Sequence, residues 1–185
     1  MMIQLNKIHL AIEFASEAHK KQYRKGTDRP YIVHPMEALQ ILTEMQASEE
    51  LKVAGVLHDT VEDTDMTLED IEEHFGKVVA SYIAFVTEDK SKTWFERKGN
   101  GIEKTRNAPF ELKMLKLADK LSNLRSIAFD YNKEKDYVWN RFSKSKVDQK
   151  WYYFGMCEAL SQLEFTESTR KLYLEFKTLC YTLFK

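Results

Sequence analysis

The chain has 185 residues, of which 43% are hydrophobic and 12% aromatic, so it is long enough to bury one full core. Its 28 basic and 29 acidic residues leave a formal net charge of −1, which excludes a global positive field that would favour nucleic acid. No stretch is long and apolar enough to span a bilayer, and residues 1–7 lack the apolar centre of a secretion signal. We therefore predict a cytoplasmic protein that is not bound to a membrane.

The apolar residues recur with helical rather than strand spacing, and the six glycines and three prolines leave few chain breakers. These features predict an all-α helical bundle. No repeat, low-complexity tract or linker divides the chain, so we predict a single domain over residues 1–185. The predicted helices cover residues 6–24, 35–46, 49–62, 68–74, 77–87, 93–106, 109–130, 146–162 and 167–184. Thr67 and Asp70 predict a helix cap, and Gly76 separates two of the helices.

Polar residues are unusually dense in residues 56–65, directly after an apolar stretch. His58 and Asp59 lie side by side, and each has a carboxylate four residues on, in Glu62 and Asp63 respectively. On a helix all four can address one centre, and a divalent cation would compensate carboxylates that otherwise repel one another. The segment therefore predicts part of a metal site. The alternative is a solvated acidic end of a helix, which fits less well with the apolar residues that directly precede His58.

One histidine and its neighbouring carboxylates cannot close a coordination sphere, so partners are sought elsewhere in the chain. His34 precedes Pro35, which we expect to disfavour helix at His34 and to start the next helix. Asp119 lies in a mostly apolar predicted helix, where a carboxylate needs a partner. Asn123 and Ser126 follow it at helical spacing and extend a polar stripe that suggests a cavity wall. The alternatives are a packing histidine and a solvated helix edge.

The order H…HD…D formed by His34, His58, Asp59 and Asp119 resembles the HD superfamily of metal-dependent phosphohydrolases. The chain is similar in particular to the RelA/SpoT-type alarmone hydrolase domain and, by its short length, to the stand-alone small alarmone hydrolases that include the metazoan SpoT homologues. The motifs that carry this resemblance are residues 18–26, 30–35, 57–65, 75–76 and 116–125. It implies a single HD-type helical bundle, one Mn²⁺ ion, and hydrolysis of (p)ppGpp to GDP or GTP plus pyrophosphate.

The resemblance also implies roles for individual residues. It makes His34, His58, Asp59 and Asp119 the metal ligands, a mixed nitrogen and oxygen set that by itself suits Mn²⁺, Fe²⁺ or Zn²⁺. Glu62 is the residue that we expect to orient or deprotonate the attacking water, while Asp63 either passes a proton to the leaving ribose oxygen or holds its neighbours in place. The substrate-binding residues that the resemblance implies are Arg24 and Lys25 near the base, Asn123 and Ser126 near the ribose and phosphates, and Tyr152 near the phosphates.

The basic residues between Lys90 and Arg106 allow two interpretations. They could compensate a polyanionic substrate, or they could form ion pairs with the acidic residues interleaved among them. In the same segment Gly99 and Gly101 depart from the more continuous helix that the resemblance predicts.

The remaining histidines and cysteines have no spacing typical of ligands. His9, His19 and His74 are therefore predicted to be packing or surface residues, and Cys157 and Cys180 to be buried or half-buried reduced thiols.

Three functions stay open at the level of the sequence. The leading interpretation is an alarmone 3′-pyrophosphohydrolase with a nucleotide as its only partner. A second keeps the metal phosphohydrolase but assigns another phosphorylated nucleotide, such as NADPH or an adenine alarmone. A third is a module that senses a nucleotide without cleaving it, which the presence of both Glu62 and Asp63 disfavours. The sequence does not indicate the oligomeric state.

Overall fold

A computed structural model describes residues 6–185 of the chain. The expectation that residues 1–7 lack a secretion signal therefore falls mainly on residues outside the described part. Over residues 6–185 the regular secondary structure is helical, apart from one isolated antiparallel bridge between Tyr23 and Pro30. The predicted all-α fold is confirmed. The chain divides into two compact units, the first ending at Glu88 and the second spanning Asp89–Lys185.

The first unit is built around a central apolar helix. Its helices are α1 (Lys7–Ala18), α2 (Val33–Glu44), α3 (Glu49–Leu57), α4 (Thr60–Asp63), α5 (Leu68–Phe75) and α6 (Lys77–Val86). Helix α3 packs against α1, α2 and α6, and all five residues of its last turn and a half are buried. Gly55 permits the close approach of α2, because a Cβ atom there would lie 2.3 Å from Leu42 Cδ1. This packing brings the start of α2 beside the end of α3.

The second unit is organised around one long helix. It contains α7 (Trp94–Arg106), α8 (Phe110–Glu134), α9 (Lys146–Ala159) and α10 (Glu167–Leu183), with 3₁₀ segments at Lys135–Arg141 and Ser161–Phe165. Helix α10 packs along α8, and α7 packs on α9. Much of α8 is buried, including polar residues such as Asp119. Those polar groups need partners because their burial without hydrogen bonds would be costly.

The helix boundaries show where local signals succeeded. The cap predicted from Thr67 and Asp70 is present as a reciprocal capping box, and Gly76 ends α5 with φ of 92°, a conformation that suits glycine. Helix α7 runs without interruption through Gly99 and Gly101, so the glycine pair does not break it. Cys157 and Cys180 are free and buried, as predicted.

Several predicted helix boundaries were wrong, among them one end and one start near the candidate site residues. The helix predicted over residues 6–24 ends at Ala18, because residues 22–31 fold back on themselves through backbone hydrogen bonds between Arg24 and Arg29 and between Gln22 and Tyr31. The helix predicted to start at Pro35 starts at Val33, so His34 is helical rather than excluded from the helix. Proline is tolerated there because it lies in the first turn, where its missing N–H would have no intrahelical partner.

The helix predicted over residues 49–62 is divided in two. Helix α3 ends at Leu57 and α4 begins at Thr60, which leaves His58 and Asp59 at the junction. The Thr60 hydroxyl donates to the Leu57 carbonyl at 2.7 Å, a side-chain hydrogen bond that competes with helix continuation. The other corrections are smaller: the predicted helix 146–162 ends at Ala159, and the helix predicted to end at residue 130 continues to Glu134. Among the described residues, no helix is both long and apolar enough to cross a bilayer.

Candidate metal centre

Two buried histidines face each other at the junction of α2 and α3. His34 is the second residue of α2, His58 caps the end of α3, and each is 2% exposed. Their Nε2 atoms lie 3.0 Å apart. The Nδ1 atom of His58 lies 2.8 Å from the Gly55 carbonyl oxygen, which can only accept. His58 Nδ1 therefore carries a proton, which makes Nε2 the nitrogen that would bind an ion when the imidazole is neutral.

Asp59 completes the cluster from the start of α4. Its Oδ2 atom lies 3.1 Å from His58 Nε2 and 3.4 Å from His34 Nε2. Burial by itself would raise the pKa of Asp59, but the charge of His58 and hydrogen bonds from both histidines outweigh it and hold the pKa well below its usual range. Asp59 is therefore present as a carboxylate, the form that binds a cation.

The three groups fit a single divalent ion. Ligand atoms about 2.1 Å from a shared ion lie about 3.0 Å apart at a right angle and about 3.4 Å apart at a tetrahedral angle. The measured separations of 3.0, 3.1 and 3.4 Å fall in this range. Among the described residues, His34, His58 and Asp59 are the group of three or more His, Cys, Asp or Glu residues able to converge on one ion. Three of the four predicted ligands thus come together, and their role as ligands stays a prediction.

Tyr31 is a member of this site that the sequence analysis missed. Its hydroxyl donates to Asp59 Oδ2 at 2.6 Å and lies 3.5 Å from Asp63 Oδ2. Burial, followed by the Asp59 charge, raises the pKa of Tyr31 above its ordinary value, so the phenol keeps its proton. A signal was present, because Tyr31 precedes His34 by one helical turn and the His34 N–H bonds to its carbonyl at 3.0 Å.

The two proposed proton-transfer carboxylates have different surroundings on α4. Glu62 is partly buried, and its Oε2 accepts the Glu88 backbone N–H at 3.1 Å. Burial is the main cause that raises the pKa of Glu62, with repulsion from Glu88, Asp59 and Asp63 adding to it. Asp63 is exposed, and its N–H bonds to the Asp59 carbonyl at 2.9 Å, so the predicted one-turn spacing is confirmed. Two carboxylates on one short helix, one partly buried and one exposed, are candidates for proton transfer.

Arg24 and Lys25 lie in the folded-back segment that precedes α2. The segment turns at Gly26, whose φ is 70°. The Arg24 guanidinium carbon lies 5.5 Å from the centroid of the Tyr31 ring, within cation–π range, whereas Lys25 is exposed. Arg24 is thus placed beside a residue of the candidate metal centre, while its predicted contact with a substrate stays a prediction.

Asp119 belongs to the second unit, in the buried middle of α8. Its Oδ2 lies 2.8 Å from Lys120 Nζ, and its Oδ1 accepts from Asn123 Nδ2 at 2.7 Å. Burial lowers the pKa of Lys120, but the Asp119 charge more than reverses this and raises it well above its usual value. Asp119 is thus an ion-paired carboxylate with one predicted neighbour, Asn123, in contact. Its assignment as fourth ligand stays a prediction, as does the substrate role of the partly exposed Ser126.

Tyr152 lies in α9 of the second unit, buried between cationic side chains. Lys98 Nζ is 5.2 Å and Lys120 Nζ 5.8 Å from the centroid of its ring, and the ring of Trp94 is 6.3 Å away. Two ammonium groups around one phenol make this a cationic locality, which agrees with a phosphate-binding role without testing it. Elsewhere on this segment Lys92 pairs with Asp89 and Arg106 with Glu103, so part of the basic cluster is an ion-paired helix face.

Comparison with known proteins places the chain in a family. Residues 11–146 match the model of the HD domain family. The chain therefore belongs to the HD domain family. Within it, the guanosine-3′,5′-bis(diphosphate) 3′-pyrophosphohydrolase MESH1 of Homo sapiens is 42% identical over 120 residues, which cover 63% of this chain and 67% of that protein. The guanosine-3′,5′-bis(diphosphate) 3′-pyrophosphohydrolase of Aquifex aeolicus (strain VF5) is 38% identical over 123 residues, or 65% of this chain and 18% of that one.

Two solved structures resemble the chain along most of its length. A metazoan ortholog of SpoT, described as hydrolysing ppGpp, superposes with a TM-score of 0.78 at 28% identity and covers 98% of both chains. A protein from Listeria monocytogenes EGD-e superposes with a TM-score of 0.75 at 38% identity, covering 82% of this chain and 98% of its own. The predicted resemblance to HD-type alarmone hydrolases is confirmed.

Proposed function

We propose that this protein is a metal-dependent guanosine-3′,5′-bis(diphosphate) 3′-pyrophosphohydrolase that converts (p)ppGpp to GDP or GTP and pyrophosphate. The observation that carries the proposal is the convergence of His34, His58 and Asp59, with Glu62 and Asp63 one turn away, in a chain 42% identical to a hydrolase of that name. The HD family and this cluster support a divalent metal site. Mn²⁺ as the native ion, Asp119 as the fourth ligand and the cytoplasm as the location are parts of the proposal.

The site residues fit the chemistry that this reaction needs. When bound, the ion supplies positive charge that neutralises phosphate and lowers the pKa of a nearby water. His58 is held by the Gly55 carbonyl with its Nε2 directed at the cluster, and Asp59 is held as a carboxylate. These three ligands would therefore be pre-formed, so little rearrangement would oppose binding.

The proton transfers are assigned to the two carboxylates on α4. Glu62 would orient the attacking water and take its proton, since a raised pKa makes its carboxylate a stronger base. The water oxygen attacks the phosphorus attached to the ribose 3′ oxygen, and the bond between that phosphorus and that oxygen breaks. Asp63 would relay the proton that Glu62 has taken to the departing ribose oxygen, or would hold its neighbours in place. The products are a nucleotide with a free 3′ hydroxyl and intact pyrophosphate.

The resemblance supplies the candidate nucleotide-binding residues. Arg24 and Lys25 would contact the base, and Asn123, Ser126 and Tyr152 would contact the ribose and phosphates. A net charge of −1 supports a free nucleotide rather than nucleic acid as the partner. Charge compensation at such a site would come from local cations such as Lys98 and Lys120.

The deciding experiment is turnover of a nucleotide panel by metal-free protein resupplied with Mn²⁺, with products identified by mass. We expect ppGpp to yield GDP and pyrophosphate, and pppGpp to yield GTP and pyrophosphate. Release of single orthophosphates would contradict attack at the phosphorus nearest the ribose. Faster dephosphorylation of NADPH or cleavage of an adenine alarmone would replace the proposed substrate, and binding of ppGpp without turnover would make the protein a sensor.

A further inference from the structure

Tyr31 touches the metal-ligand cluster without belonging to the proposed ligand set. We propose that Tyr31 is a positioning residue that orients the Asp59 carboxylate for metal binding, and that His19 and Gln22 hold Tyr31 and the Asp59–Asp63 turn in register. This inference rests on the metal-binding part of the proposed function and does not depend on which nucleotide is cleaved.

The Tyr31 hydroxyl determines the direction of the Asp59 carboxylate. The Tyr31 hydroxyl donates to Asp59 Oδ2 at 2.6 Å, and this same oxygen faces both histidine Nε2 atoms at 3.1 and 3.4 Å. A phenol has a single proton, so the shorter contact takes it in preference to Asp63 Oδ2 at 3.5 Å. Because the carboxylate can otherwise rotate, this charge-assisted hydrogen bond selects the orientation in which Oδ2 points at the histidines.

Two histidine rings pack against the Tyr31 ring and fix its position. The ring of His19 lies against it, with centroids 4.7 Å apart and planes inclined by 31°. The ring of His34 meets it edge-on, with centroids 6.0 Å apart and an angle of 83°. His19 is 2% exposed, so it is a wall of the core rather than a surface group. Tyr31 is therefore packed between a buried histidine and one of the proposed ligands.

The hydrogen bonds of Gln22 determine the tautomer of His19. Gln22 Nε2 donates to the Asp63 carbonyl at 2.7 Å, which leaves Gln22 Oε1 as the atom 2.8 Å from His19 Nδ1. An amide oxygen only accepts, so His19 Nδ1 carries a proton. His19 Nε2 is buried and has no hydrogen-bond partner among the described residues. His19 is thus held by its Nδ1 side and contributes its ring face to Tyr31.

Gln22 and Tyr31 both bond to the Asp59–Asp63 turn. Gln22 and Asp63 are 41 residues apart, yet the Gln22 amide bonds to the Asp63 backbone directly. Tyr31 and Asp59 are 28 residues apart. The segment before α2 therefore bonds to both ends of the Asp59–Asp63 turn, at the Asp59 side chain and at the Asp63 backbone. Second-sphere groups of this kind typically alter metal affinity by about 10–100-fold when removed.

The test is the Mn²⁺ affinity of the Tyr31→Phe variant, which deletes only the hydroxyl and keeps the ring. We expect affinity, measured on metal-free protein by competition with a chelating dye, to fall by about 10–100-fold. The Tyr137→Phe variant is the matched control, because Tyr137 is 77% exposed and lies in the second unit, and its affinity should stay within about twofold of the parent's. Parent-like affinity in Tyr31→Phe would overturn the proposal.

A second readout separates positioning from general structural support. If Tyr31 acts by orienting Asp59, excess Mn²⁺ should restore ppGpp turnover in Tyr31→Phe, so that the activation curve moves to higher Mn²⁺ with a similar plateau. A lowered plateau with an unmoved activation curve would overturn the positioning role. His19→Phe keeps a ring against Tyr31 and loses only the bond to Gln22, whereas His19→Ala loses both contacts, so His19→Ala should bind Mn²⁺ more weakly than His19→Phe. Equal affinity in these two variants would overturn the part assigned to His19.

The dye competition uses no nucleotide, which keeps the two proposals separable. A parent protein that binds Mn²⁺ with the expected loss in Tyr31→Phe, but does not cleave ppGpp, would refute the proposed function alone. A parent protein that binds no Mn²⁺ would refute both.

Discussion

Replacing Glu62 by glutamine separates proton transfer from metal binding in this site. The substitution keeps the size and shape of the side chain, and the amide oxygen can still accept the Glu88 N–H that Oε2 accepts at 3.1 Å. The charge and nearly all of the basicity are lost. Glu62 is not one of the three residues that converge on the candidate metal position, so metal binding should persist.

The expected loss in turnover follows from that geometry. Removal of a positioned general base typically lowers turnover by roughly 10²–10⁴-fold, which corresponds to about 2.7–5.4 kcal/mol of transition-state stabilisation. Burial raises the pKa of Glu62 and makes it a stronger base than an exposed glutamate, so we expect the upper part of this range. The loss should appear in kcat, because the interaction is made in the transition state rather than in substrate binding.

The assay is steady-state turnover of ppGpp at saturating Mn²⁺, combined with the number of ions bound per chain. Glu69→Gln on α5 is a suitable control, since Glu69 is an exposed carboxylate outside the site and its loss should leave turnover unchanged. If Glu62→Gln retains turnover within about threefold of the parent, Glu62 is not the base. If the variant instead loses its ion, Glu62 belongs to the ligand set.

Three further outcomes are expected. His58→Ala and Asp119→Ala should each weaken Mn²⁺ binding in equilibrium dialysis, and parent-like binding by either variant would remove that residue from the ligand set. Arg24→Ala should raise KM for ppGpp more than it lowers kcat, because contacts with the base bind substrate and transition state alike; a kcat effect without a KM effect would contradict this role. The carboxylate form of Glu62 is the active form and its pKa is raised, so activity should be lost as the pH falls through that pKa. The acid limb of the kcat/KM profile should therefore have its midpoint above the ordinary glutamate value of about 4.3. Glu62→Gln should abolish that limb, and a limb that persists in the variant would assign it to another group.

Features carried by neighbouring residues could be predicted. The helix cap at Thr67 and Asp70, the chain break at Gly76 and the helical class depend on spacings of a few residues and on backbone preferences. The pairing of His58 with Asp59 was likewise visible, because adjacent residues carry the ligand types that a metal needs. His34 was found by its chemistry although the start of its helix was misplaced, since α2 begins two residues earlier than expected.

Contacts between distant segments could not be predicted, and they complete the site. The Tyr31 hydroxyl on Asp59 and the Gln22 amide on the Asp63 carbonyl join residues 28 and 41 positions apart. The Glu88 N–H on Glu62 joins residues 26 apart. Each joins groups that meet only after the helices of the first unit have packed, so no local pattern encodes it.

The sequence by itself determined which chemistry this protein could perform, because it supplies side chains that can bind a metal or transfer a proton, namely His34, His58, Asp59, Glu62 and Asp63. The tertiary structure decided how those groups are held. It brought the Nε2 atoms of His34 and His58 to a separation of 3.0 Å, although the two residues lie in separate helices. The physical reason is packing: α2 packs on α3 beside Gly55, and this contact makes one cluster of side chains from two separate helices.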